Sequence, residues 1–224
     1  MQRTIFLIAT FCWIFQSACV TSVHPLATYD RAVTDAKLPG IWKSESQEFL
    51  IQPCLESDYF KSGQNSSMSG DKIPFTTKEK EDSLLLTKSY IVEYSKGNGH
   101  YVMLANFVRL NDHLFMSCLP IDGSYTTHEG GGVAIDIPAS MRGYTIAKVQ
   151  WQNSNTLKLN FIDGSFLYDQ IKSGRMKLKH ESDDMYDTFL ITASTNDLQH
   201  FLEKYGSDDR FFDKENSVTL TRKS

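Results

Sequence analysis

The chain has 224 residues, with 23 basic and 27 acidic side chains, a net charge of −4 and four cysteines. Once a leader is removed, about 200 residues suffice for one domain with its own core, without metals or a dense disulfide framework. No basic run exceeds Arg222-Lys223, so the composition serves neither nucleic acid nor a polybasic membrane patch as main partner.

Arg3, the apolar run Ile5 to Phe15 and the short polar step Gln16-Ser17-Ala18 read as an export signal over residues 1–18. A membrane-spanning helix needs about 20 apolar residues, more than this run supplies, so the segment is removed rather than kept. Ser17-Ala18-Cys19 resembles the end of a bacterial lipobox. The resemblance implies cleavage before Cys19 and its modification by palmitate-type acyl chains, which together hold a protein to a membrane where one chain alone binds marginally. Val20 follows the cysteine where inner-membrane lipoproteins of Gram-negative bacteria carry Asp. The resemblance therefore implies an outer membrane lipoprotein facing the periplasm. A cut after Ser22 by an ordinary signal peptidase stays open.

Residues 19–37 are short on apolar periodicity and read as a tether or an entry arm, and residues 38–224 as a single domain. That domain opens at Leu38-Pro39-Gly40-Ile41-Trp42, where Pro39 and Gly40 punctuate and an aromatic-rich strand begins. Gly40-x-Trp42 is similar to the lipocalin, or calycin, pattern, which implies an antiparallel barrel with Trp42 plugging its closed end. Two further landmarks of that pattern, a Thr-Asp-Tyr turn midway and a later partnered Arg, are not identifiable in this sequence. Together with a helix near the C-terminus, the Leu38 to Trp42 motif also resembles a group of uncharacterised bacterial envelope lipoproteins, which implies location and architecture and no activity.

Cys12 leaves with the signal, so Cys54 and Cys118 remain in the folded part. In an oxidising compartment they can pair as a disulfide, or each can serve as a small buried hydrophobe. After a strand at Glu48 to Gln52, residues 62–83 are rich in Ser, Gly, Asn, Lys and Glu and read as a long exposed loop.

The middle of the chain has period two. Tyr90, Val92 and Tyr94 share a face, Lys96-Gly97-Asn98-Gly99 supplies a turn, and His100 to Leu110 returns. Leu114 to Leu119 is a continuous apolar run, expected for a strand buried on both faces or for one passing under a helix. Tyr144 to Trp151 and Leu157 to Ile162 form another hairpin, with Leu157, Leu159 and Phe161 on one face and Lys158 and Asn160 on the other. Val133, Ile135 and Ile137 repeat the alternation.

Thr126 to Gly132 (TTHEGGG) invites an anion or metal assignment, but a strand-like run follows the glycines and His128 has no second His at helical spacing. A surface loop is the expectation. Asp163-Gly164-Ser165-Phe166 lacks the second glycine of a nucleophile elbow and reads as a turn into a short helix ended by Gly174. Asp183-Asp184 and Asp208-Asp209 are adjacent acids in polar loops, which does not place an acid and a base across a substrate. Ser194 caps a helix whose Leu198, Phe201, Leu202 and Tyr205 form one stripe, with Gly206 ending it and a last strand at Ser217 to Arg222.

The expected fold is mostly β, an antiparallel lipocalin-like barrel with one or two flanking helices; a β-sandwich or an α+β arrangement is the alternative. The expected function is that of a non-catalytic envelope lipoprotein with a structural or protein-interaction role, its barrel filled by its own bulky side chains. The alternative is a carrier holding a small apolar or amphiphilic ligand in the barrel. No cofactor or metal is implied, and the partners are the membrane, through the anchor, and an envelope protein or apolar ligand.

Overall fold

A computed structural model describes residues 20–44, 47–65, 84–96, 99–126, 132–134, 143–183 and 188–223. The expected leader, the lipid attachment at Cys19, His128-Glu129, Ile135, Ile137 and Asp184 lie outside the described residues. In chain order the elements are β1 (Thr21–Ser22), β2 (Gly40–Ser44), β3 (Gln47–Pro53), α1 (Asp58–Asn65), β4 (Tyr90–Lys96), β5 (Gly99–Leu110) and β6 (His113–Thr126). They continue with β7 (Gly132–Ala134), β8 (Tyr144–Asn153), β9 (Thr156–Ile162), α2 (Gly164–Lys172), β10 (His180–Asp183), β11 (Thr188–Ile191), α3 (Thr195–Tyr205) and β12 (Phe212–Arg222).

Eight of these strands, β2, β3, β4, β5, β6, β8, β9 and β12, pair antiparallel in a closed ring. The ring closes because β8 bonds to β9 along one side and to β6 along the other. The result is the lipocalin-like barrel, and closure satisfies the strand edges that an open sheet would expose. β7 extends the upper part of β6, while β1, β11 and β10 extend β8 as a small side sheet in which β1 and β11 run parallel.

Alternation along each strand separates an inside from an outside. Trp42, Tyr90, Val92, Phe107, Leu157 and Leu220 belong to the interior cluster. Outside, the stripe of α3 buries Leu198, Phe201 and Leu202 against Val108, Phe115 and Ile146 of β5, β6 and β8. Gly206 ends α3 with φ −69°, an ordinary right-handed value. Its requirement is space, since a Cβ there would lie 2.5 Å from the Leu202 carbonyl oxygen and 2.7 Å from the Phe115 ring. The continuous run of β6 is buried on both faces because Leu114, Met116 and Cys118 enter the barrel while Phe115 packs under α3.

Two sequence expectations are sharpened or changed. Of the two readings of residues 20–37, a tether or an entry arm, the packing agrees with the arm: Leu26 and Ala27 are fully buried in the cluster beneath α3. The Gln199 side chain donates to the Leu26 carbonyl at 2.7 Å, Arg31 donates to Gln199 Oε1 at 2.8 Å, and Lys88 Nζ donates to the carbonyls of Tyr29 and Ala32. The segment then passes under the barrel, with Val33 N donating to the Phe107 carbonyl. Isolated apolar residues, without period, suffice to bind an irregular strap. The second change concerns the expected loop at 62–83, whose first residues belong to α1. Ser57 accepts from Phe60 N at its start, and Tyr59 and Phe60 pack on Ile91, Val102 and Leu104 of β4 and β5.

Candidate functional site

The barrel has two unlike ends. At the lower end Trp42 is fully buried and its indole N–H donates to the Leu38 carbonyl at 2.8 Å. Trp151 packs against it at 5.8 Å between ring centroids and donates to the Asp35 carboxylate at 3.2 Å. The Tyr90 hydroxyl accepts from Asp35 N and donates to the Asp35 carbonyl, so residues 33–38 are sewn across this end by side chains from three strands. Burial is the first cause that raises the Tyr90 phenol above its ordinary pKa, so it remains a hydroxyl able to donate.

Gly40 and Trp42 stand where the sequence places them, and the structure adds a third member. Arg222 on β12 is the register partner of Trp42 and holds its guanidinium 4.4 Å from the Trp42 ring centroid. Its nitrogens donate to the carbonyls of Pro39 and Lys37. Gly40 has φ +139°, and a Cβ there would come within 2.5 Å of Arg222 Nη1. Only glycine meets both conditions. Arg222 was traceable in principle: it continues the inward alternation of Val218 and Leu220.

The upper end is built differently. The inward residues of the lower half, such as Phe107, Leu114 and Leu157, are buried. In the upper half the inward-facing Phe49, Tyr94, Tyr101, Met103, Leu159 and Phe161 are apolar or aromatic and partly exposed, and Ser44, Gln47 and Thr145 continue the same faces with small or polar side chains. Three of them form one row across β3, β4 and β5. Phe49 stacks on Tyr94 at 5.4 Å and 23°, and Tyr94 on Tyr101 at 5.0 Å and 20°. None of the nine side chains just named carries a charge. Such a lining offers dispersion and ring contacts and disfavours an ion.

The two thiols do not meet. Cys118 points into the barrel with its Sγ 3.5 Å from Met103 Sδ, whereas Cys54 lies outside, among Ile91, Val102 and Leu104. Both are free and buried, on opposite faces of the barrel wall, which replaces the disulfide alternative with the packing one. Burial pushes the Cys54 thiol up to about 11 and the Cys118 thiol up to about 12.

The remaining polar candidates disperse. Thr126 and Gly132, which bracket His128-Glu129, pair across β6 and β7. Asp163 caps α2 by accepting from Phe166 N, and Leu167 is buried, as the turn-into-helix reading expects. Asp208 accepts from Arg210, whose guanidinium holds its carboxyl down at about 2, while Asp209 lies 3.6 Å from Lys148. Asp183 is the last residue of β10. On the outer face of the β4–β5 hairpin, Ser95 Oγ is 3.4 Å from His100 Nδ1, and His100 Nε2 is 3.4 Å from Glu93. Both contacts are long and Ser95 is exposed, which makes them a cross-strand surface set. Among the described residues no group of three or more His, Cys, Asp and Glu side chains is arranged to hold a metal. No protein-family model, curated protein or solved structure matches the chain.

Proposed function

We propose that this protein is a non-catalytic binding protein of the bacterial cell envelope, anchored through Cys19, that carries a small uncharged apolar ligand in the upper half of its barrel. The observation that carries the reading is the burial gradient inside the barrel: side chains fill the lower half, while apolar side chains of the upper half face inward and remain partly exposed. In a barrel of about eight strands the interior is either filled by side chains or holds one small ligand. Bulky residues such as Tyr94 and Phe161, which the sequence assigns to filling, keep part of their surface exposed on the inward face. The Gly40, Trp42 and Arg222 arrangement supports kinship with calycins, because a later partnered Arg is among the landmarks of that pattern. The anchor and the envelope location rest on the sequence motif at Ser17-Ala18-Cys19.

The test is native mass spectrometry of the full chain purified from a bacterial envelope fraction. A co-purifying uncharged lipid or apolar metabolite, released on unfolding, is the expected result. An unliganded protein that binds no apolar probe, recovered instead with a stoichiometric envelope protein, replaces the carrier with an interaction role.

A further inference from the structure

The barrel is closed, but the side sheet is not. β10 ends it, paired with β11 on one side and with no strand among the described residues on the other. The register fixes which backbone groups are left over. His180 lies opposite Ile191, and Thr192 N donates to the Lys179 carbonyl at 3.0 Å, so residues 179, 181 and 183 turn their backbone groups toward β11. Residues 178, 180 and 182 turn theirs outward. The Leu178 carbonyl accepts from His180 Nδ1 at 2.9 Å, while the backbone N–H and C=O of His180 and Ser182 have no partner among the described residues.

The side chains of this edge carry a second pattern. Met176 and Leu178 are buried, whereas Lys177, Lys179 and Glu181 are exposed and form no ion pair among the described residues. The sign of charge reverses about His180: Lys177 and Lys179 precede it, Glu181 and Asp183 follow it. Charges on an edge strand, lysines above all, turn most other strands away. This edge nevertheless fits its own copy. When two copies lie antiparallel with His180 opposite His180, the outward backbone groups of one meet those of the other. Lys179 then stands opposite Glu181 twice by symmetry, and Lys177 opposite Asp183. These are the positions without hydrogen bonds, where side chains across a pair come closest. Moving the two-fold axis to Lys179 or to Glu181 instead sets like charges face to face. The His180 rings do not crowd the axis, because each stacks on Phe189 of its own β11 at 4.9 Å and 16°.

We infer that β10 is a homodimer interface, at which two copies of this chain join their side sheets edge to edge with His180 on the two-fold axis. The inference is independent of the carrier reading. The contact is short, so the dimer is weak and forms at high local concentration.

Sedimentation velocity of the full chain, carried to submillimolar concentration, should show a reversible equilibrium between monomer and dimer. Lys179→Glu and Glu181→Lys each turn two opposite-charge contacts into like-charge ones, and each should weaken self-association roughly five- to thirtyfold. An equimolar mixture of the two variants should recover the dimer, because each then meets the sign it lacks, and a chain carrying both substitutions should recover it too. Ser182→Pro removes an outward N–H and no bond to β11, and should abolish the dimer while leaving the thermal midpoint of the monomer unchanged. Should Ser182→Pro fail to fold, the mixture decides alone. A monomer at every concentration overturns the interface, and so does a dimer that persists undiminished in both single charge variants or a mixture no more associated than its components.

Discussion

Arg222 lies over the indole face of Trp42, its guanidinium carbon 4.4 Å from the ring centroid, and the same guanidinium approaches the backbone of Gly40 so closely that a Cβ there would lie 2.5 Å from Nη1. The lower end of the barrel is thus fixed by a cation, a ring and a missing side chain. Trp42→Ala removes the largest fully buried side chain among the described residues and should cost about 3–5 kcal/mol in a urea titration. Gly40→Ala acts through two separable effects: backbone strain at φ +139°, of order 1–3 kcal/mol, and the contact with Arg222. In an Arg222→Ala background the second effect disappears and the first remains. The cost of Gly40→Ala should therefore shrink there without reaching zero, and an unchanged cost shows that the two residues are not coupled.

The thiols give a reactivity and a pH prediction. Folded protein at pH 8 without reductant should resist iodoacetamide at both Cys54 and Cys118, and unfolding should release two alkylatable groups. Burial raises both thiols in the folded state, to about 11 and about 12, while in the unfolded chain thiols titrate near 8.5. Between these limits the unfolded state has lost protons that the folded state keeps, so stability falls as pH rises. The contribution is constant below about pH 8 and declines from about pH 9 toward the folded values. In a Cys54→Ala, Cys118→Ala double variant, the part of the alkaline decline that belongs to these groups should vanish from the pH dependence of the unfolding midpoint.

Lys148 is 4% exposed in its side chain and meets two oxygens at the end of α3, the Gly206 carbonyl at 3.1 Å and the Asp209 carboxylate at 3.6 Å. The carbonyl is the more important partner, because Asp209 is 80% exposed and its charge is screened by water. Lys148→Met keeps most of the packing volume but removes the donor, and should lower stability by about 1–3 kcal/mol. Asp209→Asn should cost under about 1 kcal/mol. Equal losses from the two substitutions contradict this ranking.

Local rules explain which parts of this fold are legible in sequence. The stripe of α3 and the period-two faces of β4 and β9 follow from side-chain alternation and capping, and each appears in the structure, while the turn expected between Lys96 and Gly99 lies outside the described residues. Barrel closure involves the pairing of β8 with β6, strands brought together by register along the whole ring, and no short motif encodes it. The Arg222–Trp42 pair spans most of the chain and becomes visible only once β12 is known to neighbour β2. The aromatic row is hidden for the same reason: Phe49, Tyr94 and Tyr101 come from three strands, and only register makes them a stack. The α1 helix was obscured because its second half, Ser62 to Asn65, is polar, while its anchoring residues Tyr59 and Phe60 fall in the first turn.

The strap formed by residues 20–38 supplies the last prediction, since it separates a folded N-terminal segment from a free spacer. Leu26 is fully buried between the outer face of β6 and α3, its N–H 3.4 Å from Ser117 Oγ and its carbonyl accepting from Gln199. Arg31 reaches the same helix, 2.5 Å from Glu203 and 2.8 Å from Gln199. Glu203 and Arg31 are about one-third exposed, so their ion pair is worth little, and the buried leucine carries the attachment. Leu26→Ala should cost about 2–5 kcal/mol, and Arg31→Ala well under half of that. Limited proteolysis of the wild type should leave the strap intact until global unfolding, whereas Leu26→Ala should expose cleavage at Arg31 under native conditions. If Leu26→Ala leaves both the unfolding midpoint and the cleavage rate unchanged, the segment is a spacer after all. If it is a strap, a protein anchored at Cys19 would carry its barrel directly against the membrane, because the residue that follows, Val20, is already part of the core.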